Sequence, residues 1–423
     1  MPEAAALVPL RANRRVMTLL ISQFLGMAAR GIYFVALPLF VLERTGSPFS
    51  MSVSLFLSFA PYTLAAPFVG PVVDRFSRRD LLVAANLLYG SFLLLLPFLH
   101  DPLPIFAVAF AASVCGVVVA NSIVALLPEL VDISQLARAN SAYMFLRSTT
   151  YLLSTGSAYF LVKYLGKARP FFLCFALQAA CSAAGLLIER DAVRRPSARG
   201  HGLSPGLRGI AGAVGIIRKD RHVRGLTLMH LLFMPVFGAF EVLLPLFSGR
   251  RLGEVNYYTL LSAAVGGGLA VGSLFAYRLL ERVRPLSLVL TSFCGYAAGV
   301  FLLGRSSTLW SSLLVCVGMG IVDALGFTTY EFLRQRLIPS EFRGRVFATM
   351  DALVLFPLPL GYLGMGYFAG RVDIATAALW LSLVGLYLAF LSFRSSGHSP
   401  HPIPHDPGFF FSLLCCNHPA SEQ

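Results

Sequence analysis

Charge is the scarcest property of this chain. Only 13% of its 423 residues are charged and 57% are hydrophobic, which excludes the two or three soluble domains that such a length otherwise accommodates. Acidic residues are the fewest: 20 Asp and Glu stand against 34 Lys and Arg, a net charge of +14. No G-x-x-x-x-G-K-[ST] occurs, so a phosphate-cradling loop and a nucleotide-driven pump are excluded. No H-E-x-x-H is present, and the acids are spread over separate apolar runs, which leaves no constellation for an intramembrane enzyme. Cys115, Cys174, Cys181, Cys294 and Cys316 lie inside apolar runs as small packing residues, and no disulfide framework, metal or cofactor is expected from them. Glycine clusters give no cofactor signal either. Gly266, Gly267, Gly268 and Gly272, and Gly361, Gly364, Gly366 and Gly370, follow no strand and sit where small residues let helices approach.

What the chain has is long apolar stretches, at approximately 16–42, 49–69, 80–99, 103–128, 138–163, 170–188, 224–248, 257–280, 285–304, 308–333, 345–369 and 373–393. A membrane-spanning helix needs about 20 mostly apolar residues. Backbone polar groups in hydrocarbon must be satisfied within the element, so each run reads as a helix and the fold class as all-α integral membrane, twelve spans. The first run is too long for the apolar core of a cleaved signal and leads directly into a second, so it is retained.

Basic loops stay in the cytoplasm. With residue 1 inside, 24 of the 34 Lys and Arg residues fall on the inner face, so both termini are expected to be cytoplasmic. The positive charge orients the chain and meets anionic lipid; nucleic acid is not the expected partner.

Sliding the sequence against itself by 207 positions aligns Gly31 with Gly238, Leu37-Pro38-Leu39-Phe40 with Leu244-Pro245-Leu246-Phe247, Arg44 with Arg251 and Gly46 with Gly253. The same offset places Asp74-Arg75 on Glu281-Arg282 and Arg138 on Arg345. One offset held over more than a hundred residues implies two homologous six-span halves. Parallel halves of this kind are a transporter architecture, with the substrate between them near the midplane. The organisation expected is an N-terminal segment 1–15, a first half 16–189, a linker 190–223, a second half 224–394 and a tail 395–423. Within the linker, Leu207 to Lys219 is expected to form a short amphipathic helix with Ile210, Val214 and Ile217 toward lipid. The tail carries His398, His401, His405 and His418 without metal-type spacing, then Phe409 to Phe411, and reads as flexible and touching the membrane. Its vicinal Cys415 and Cys416 leave lipidation as an alternative.

Between two charge-free runs lies Gly70 to Asp80, GPVVDRFSRRD. Gly70, Asp74, Arg75, Arg78 and Arg79 resemble the loop between the second and third helices of the major facilitator superfamily, with Ser77 where the pattern has a second glycine. Leu126-Leu127-Pro128-Glu129-Leu130-Val131 with Leu136 to Asn140, and Ile338 to Phe347, resemble the corresponding turns in the branch of bacterial siderophore exporters and macrolide efflux pumps. The chain departs from many drug antiporters in its fifth span, where Leu153 to Ala158 replaces their G-x-x-x-G-P-x-x-G-G type motif. The resemblance implies a bacterial inner-membrane transporter, monomeric, working by alternating access. It also implies that Gly70, Asp74, Arg75, Arg78, Arg79, Glu129, Glu281, Arg282 and Arg345 form gating loops, with Asp74 docking on the eleventh helix and Arg75 or Arg78 pairing with Glu129 or Asp80.

Ionisable residues within spans are functional candidates because an unpaired charge there costs a few kcal/mol. Arg30, Arg147, Glu241, Asp323 and Asp351 are that set. Arg30 and Arg147 lie well below the headgroups and are expected to hold an anionic substrate group through two-pronged guanidinium contacts, or else to pair with Glu241, Asp323 or a helix carbonyl. Glu241 and Asp323 are expected to load and release protons, or else to be packing partners; Asp351 lies nearer the cytoplasm and ranks lower. The expected function is proton-coupled export of a siderophore-like or other anionic metabolite or drug. An importer of the same fold, or a transporter-like receptor or scaffold, is the alternative.

Overall fold

The structure, a computed structural model, describes residues 13–65, 69, 73, 76–131, 133–188, 212–280, 282–283, 285–338 and 343–395. The first six-helix group comprises α1 (Arg14–Thr45), α2 (Pro48–Leu64), α3 (Arg78–Leu95, extended by a 3-10 turn Leu96–Phe98), α4 (Pro102–Leu130), α5 (Ile133–Leu165) and α6 (Pro170–Leu186). The second comprises α7 (Arg221–Arg251), α8 (Tyr257–Leu280), α9 (Pro285–Arg305), α10 (Leu309–Leu337), the successive segments α11 (Arg343–Leu355) and α12 (Leu358–Ala369), and α13 (Ile374–Ser395). Helices stand at all twelve of the apolar runs. Eight helices among the described residues are long and apolar enough to cross a membrane, and Pro170–Leu186 and Ile374–Leu388 are shorter apolar helices.

The duplication is visible in the helix ends. An offset of 207 carries both ends of Pro102–Leu130 onto Leu309–Leu337, and the starts of Arg14–Thr45 and Arg78–Leu95 onto those of Arg221–Arg251 and Pro285–Arg305. Equivalent residues do equivalent local work. Asn13 caps α1, its Oδ1 accepting from the Arg15 and Val16 amides at 3.1 and 3.3 Å. Its counterpart Asp220 caps α7, accepting from the His222 and Val223 amides at 2.8 and 3.0 Å. Such caps satisfy amides that the first helical turn leaves without partners. Past the other ends of α1 and α7, Gly46 and Gly253 take φ of 61° and 80°, a left-handed conformation that glycine adopts without steric cost.

The eleventh span is present over Thr349–Ala369 but interrupted within it at Phe356-Pro357, because proline supplies no amide to continue the ladder and restricts the residue before it. One expectation is corrected. In the linker, helix forms over 212–219, but Ile217 is buried at 5% exposure together with Ala213, in the same apolar core as the large helices, and does not face lipid. Ile210 lies outside the described residues, as does the tail.

Helices within the second half approach until backbone meets backbone. A Cβ at Gly268 would stand 2.1 Å from the Val317 carbonyl oxygen, and one at Gly320 2.0 Å from that of Val265, so α8 and α10 touch through glycines on both sides. Gly238 on Leu358 and Gly361 on Pro235 do the same for α7 and α12, at 2.2 and 2.1 Å.

Candidate functional site

The two halves meet toward the end of the bundle where α1 finishes and α2 begins. There Gly366 of α12 lies against α2, its missing Cβ only 1.9 Å from Ser52 Oγ. Deeper along the same helices the Phe59 and Tyr362 rings pack across the divide at 5.6 Å. On the other flank Leu152 of α5 fills the space beside Gly266 of α8, and Gly156 faces Ala263.

At the opposite, arginine-rich end, the described ion pairs join helices of one half only. Arg78 of α3 pairs with Glu129 of α4 and donates to the Ala125 carbonyl at 3.0 Å. Arg79 contacts Asp80 at 2.9 Å and donates to the Leu186 carbonyl of α6. Arg334 of α10 joins Glu331 at 2.7 Å and Asp351 of α11 at 2.5 Å, with the Phe347 ring 4.4 Å beneath its guanidinium. The described contacts close the space between the halves at the first end and draw each half together separately at the arginine-rich end.

Four of the ionisable candidates lie within helices between these two ends. Arg30 stands at the middle of α1 and donates to Asn86 Oδ1 of α3 at 3.3 Å. Arg147 of α5 is exposed, and both guanidinium groups lie within electrostatic reach of the Tyr62 and Tyr143 hydroxyls. Tyr62 follows Phe59 by one turn and is 38% exposed, below the aromatic closure. From the second half, Glu241 of α7 and Asp323 at the middle of α10 lie within electrostatic reach of each other. Both also reach Tyr151, which comes from α5 of the first half. Among the described residues neither carboxylate makes a hydrogen bond or ion pair. The arginines share tyrosines of the first half and the acids reach a tyrosine across the divide, and among the described residues the arginines and the acids are not in contact.

Asp323 opens into a cavity of about 240 Å³ in the second half, lined also by His230, Phe237, Phe293, Tyr296 and Phe327. The offset of 207 gives its equivalent in the first half. His230 corresponds to Gln23, Phe237 to Arg30, Phe293 to Asn86, Tyr296 to Tyr89 and Asp323 to Gly116. In the first half this place is filled. Arg30 bonds Asn86, and the Tyr62 hydroxyl lies 2.5 Å from where a Cβ on Gly116 would be.

The gating residues are partly visible. Gly70, Asp74, Arg75 and Glu281 lie outside the described residues; Arg282 is exposed in a turn, and Arg345 belongs to α11. Residue-type reasoning overlooked Tyr62, Tyr143, Tyr151, Asn86 and His230. Tyrosine carries no charge signal in an apolar run, but Asn86 and His230 interrupt such runs and could have been singled out on the same ground as the charges.

A sequence profile described as Major Facilitator Superfamily matches residues 19–354. The chain belongs to the major facilitator superfamily. It is therefore a multi-pass membrane transporter and not an enzyme. Among its relatives, Macrolide efflux protein A of Streptococcus pyogenes is 24% identical over 374 residues, covering 84% of this chain and 90% of that protein. Multidrug efflux pump Tap of Mycobacterium tuberculosis is 25% identical over 383 residues, covering 86% and 89%. Of solved structures, the nucleoside transporter NupG superposes with a TM-score of 0.76 at 13% identity over 91% of this transporter and all of that chain. A POT family peptide transporter superposes with a TM-score of 0.69 at 14% identity over 93% and 99%. These structures establish the fold alone.

Proposed function

We propose that this superfamily member exports a bulky organic molecule of the drug or metabolite class in exchange for protons, and that the arginine-rich end is cytoplasmic. What supports the reading is that the described contacts between the halves close one end of the bundle, with two arginines contributed by the first half and two neighbouring acids by the second. A cavity reached from the cytoplasm is where an exporter loads. Glu241 and Asp323 are neighbours in a low-dielectric region without a cation in contact, and a proton on either removes their mutual repulsion. Arg30 and Arg147, with Tyr62 and Tyr143, receive the acidic or polar groups of the substrate. The efflux activities named for the two bacterial relatives support a drug as the cargo, and the pair of arginines supports an anionic, siderophore-like metabolite as the second reading. In the outward-open state Asp74 and its neighbours seal the cytoplasmic end against α11, while Arg78–Glu129 keeps α3 and α4 together throughout.

The test is solute-stimulated proton movement in sealed proteoliposomes carrying a pH-sensitive dye, comparing a macrolide with a carboxylate chelator. A signal with the macrolide supports drug export, and one with the chelator that Arg30→Ala removes supports the anionic metabolite. Uptake into inverted and right-side-out vesicles separates export from import. Silence with every solute, from folded protein, favours a receptor or scaffold.

A further inference from the structure

The cavity of the second half has no part in the reading above beyond Asp323. Four aromatic rings with Met234 and Leu358 make up most of its walls, and Asp323 is its one carboxylate, beside the polar His230 and Ser292. Among the described residues no cation lines it, although an acid within a membrane span normally meets one. The rings are held in place by each other. Phe293 stacks on Phe233 at 4.1 Å, and Phe237 packs on Tyr296 at 4.3 Å. His230 is fixed as well: its Nδ1 lies 3.3 Å from the Leu226 carbonyl, which only accepts, and its ring packs on Tyr330 at 3.8 Å and on Phe293 at 5.1 Å. Gly326 also lines the cavity, and its missing Cβ would come 2.8 Å from Ser292 Cβ, so α9 and α10 are pressed together along one wall.

Ring faces carry negative potential and attract a cation positioned over them, most strongly when water is excluded. A carboxylate among such rings adds a full counter-charge. A substituted ammonium suits this combination because its alkyl groups sit against the rings and the apolar Met234 and Leu358 while its charge faces the carboxylate. We propose that the cavity bounded by Phe237, Phe293, Tyr296, Phe327 and Asp323 is a binding site for a tertiary or quaternary ammonium group. The site lies inside one half, beside the space between the halves. It deepens the export reading and rests on it, since an amine-bearing cargo places its ammonium here and its remaining bulk toward Tyr62 and the arginines. The first half offers no second copy of the site, because Arg30 and Asn86 stand where Phe237 and Phe293 stand, and a guanidinium repels the same ligand.

The experiment is equilibrium binding of tritiated benzyltrimethylammonium to the full chain in lipid nanodiscs, with unlabelled benzyltrimethylammonium and its uncharged isostere neopentylbenzene as competitors. Saturable binding is expected, weakened at least tenfold by Asp323→Asn and severalfold by Phe237→Leu, and not displaced by neopentylbenzene. The Phe237→Leu variant keeps the wall apolar, so it reports on the site even if Asp323→Asn fails to fold. Absence of saturable binding to the wild type overturns the proposal, as does displacement by neopentylbenzene as effective as by the unlabelled cation. Equal affinity in folded Asp323→Asn does so too. The dye assay on the same preparation separates the two readings. Proton movement with a macrolide in the absence of ammonium binding removes this site and leaves export standing; ammonium binding without proton movement for any solute keeps the site and removes export.

Discussion

The two halves share one scaffold and place opposite charge within their spans. Asn13 and Asp220 cap corresponding helices, Gly46 and Gly253 end them, and α4 and α10 coincide at both termini under the 207 offset. Yet Arg30 corresponds to Phe237, Arg147 to Val354, Glu241 to Phe34 and Asp323 to Gly116. Capping and turn residues answer to backbone geometry, which duplication copied and folding still requires. The four charges answer to nothing in the scaffold, since the equivalent positions hold apolar residues or glycine and the helices still form. On the proposed reading, charge that one copy carries and the other does without is kept for what passes between them.

The contrast can be broken most severely at the acidic wall. Asp323→Asn is expected to abolish pH-gradient-driven transport, and Glu241→Gln to do the same, while exchange of a solute without an ammonium group, down its own gradient, continues in both. Loss of exchange as well, in folded protein, would make the pair structural. On the other wall, Arg30→Ala is expected to weaken binding of a carboxylate-bearing solute roughly 10- to 100-fold, the scale of a charge-assisted hydrogen bond worth about 1.5–3 kcal/mol. Equilibrium dialysis with the chelator reads this directly, and an unchanged affinity would remove Arg30 from the binding wall. A smaller effect sharpens the difference between the two ends of the molecule. Gly366→Val drives a side chain into Ser52 and is expected to raise severalfold the rate at which a cysteine at Ser52 reacts with an impermeant thiol reagent added to the face that α2 starts from. An unaltered rate would mean that this contact is not a closure. The smallest change belongs to Arg334→Met, which separates α10 from α11 at the arginine-rich end. Asp351 is 50% exposed, so the cost is expected to be about 1 kcal/mol, read as a slight fall in thermal-shift midpoint.

Much of this fold was legible because hydrocarbon leaves the backbone few options. Every apolar run became a helix near the expected limits, and Pro102–Leu130 and Leu309–Leu337 repeat the offset that Gly31 and Gly238 announce. The break at Phe356-Pro357 was less legible, because Pro38, Pro61 and Pro245 lie within helices that continue past them. The linker helix was readable as a helix but not in its orientation: burial of Ile217 depends on tertiary contacts that amphipathic spacing cannot specify. At the site, charge in a span identified Arg30, Arg147, Glu241 and Asp323, whose placement relative to one another is set by the packing of separate helices. The tyrosines among them and the aromatic cavity are uncharged and had no comparable signal. That Gly116 leaves room for the Tyr62 hydroxyl is a fact of three dimensions only.

The glycine contacts bear on how such a bundle changes shape. Inside the second half, α8 with α10 and α7 with α12 are joined main chain to main chain, through carbonyl oxygens that have no rotamers with which to yield. Across the divide, Gly366 rests on the hydroxymethyl group of Ser52, and the Phe59 ring lies against that of Tyr362. Those are side chains, which can turn aside at modest cost. Under load the molecule has stiff plates and a soft seam, and a rocking motion will part along the seam before it bends a plate.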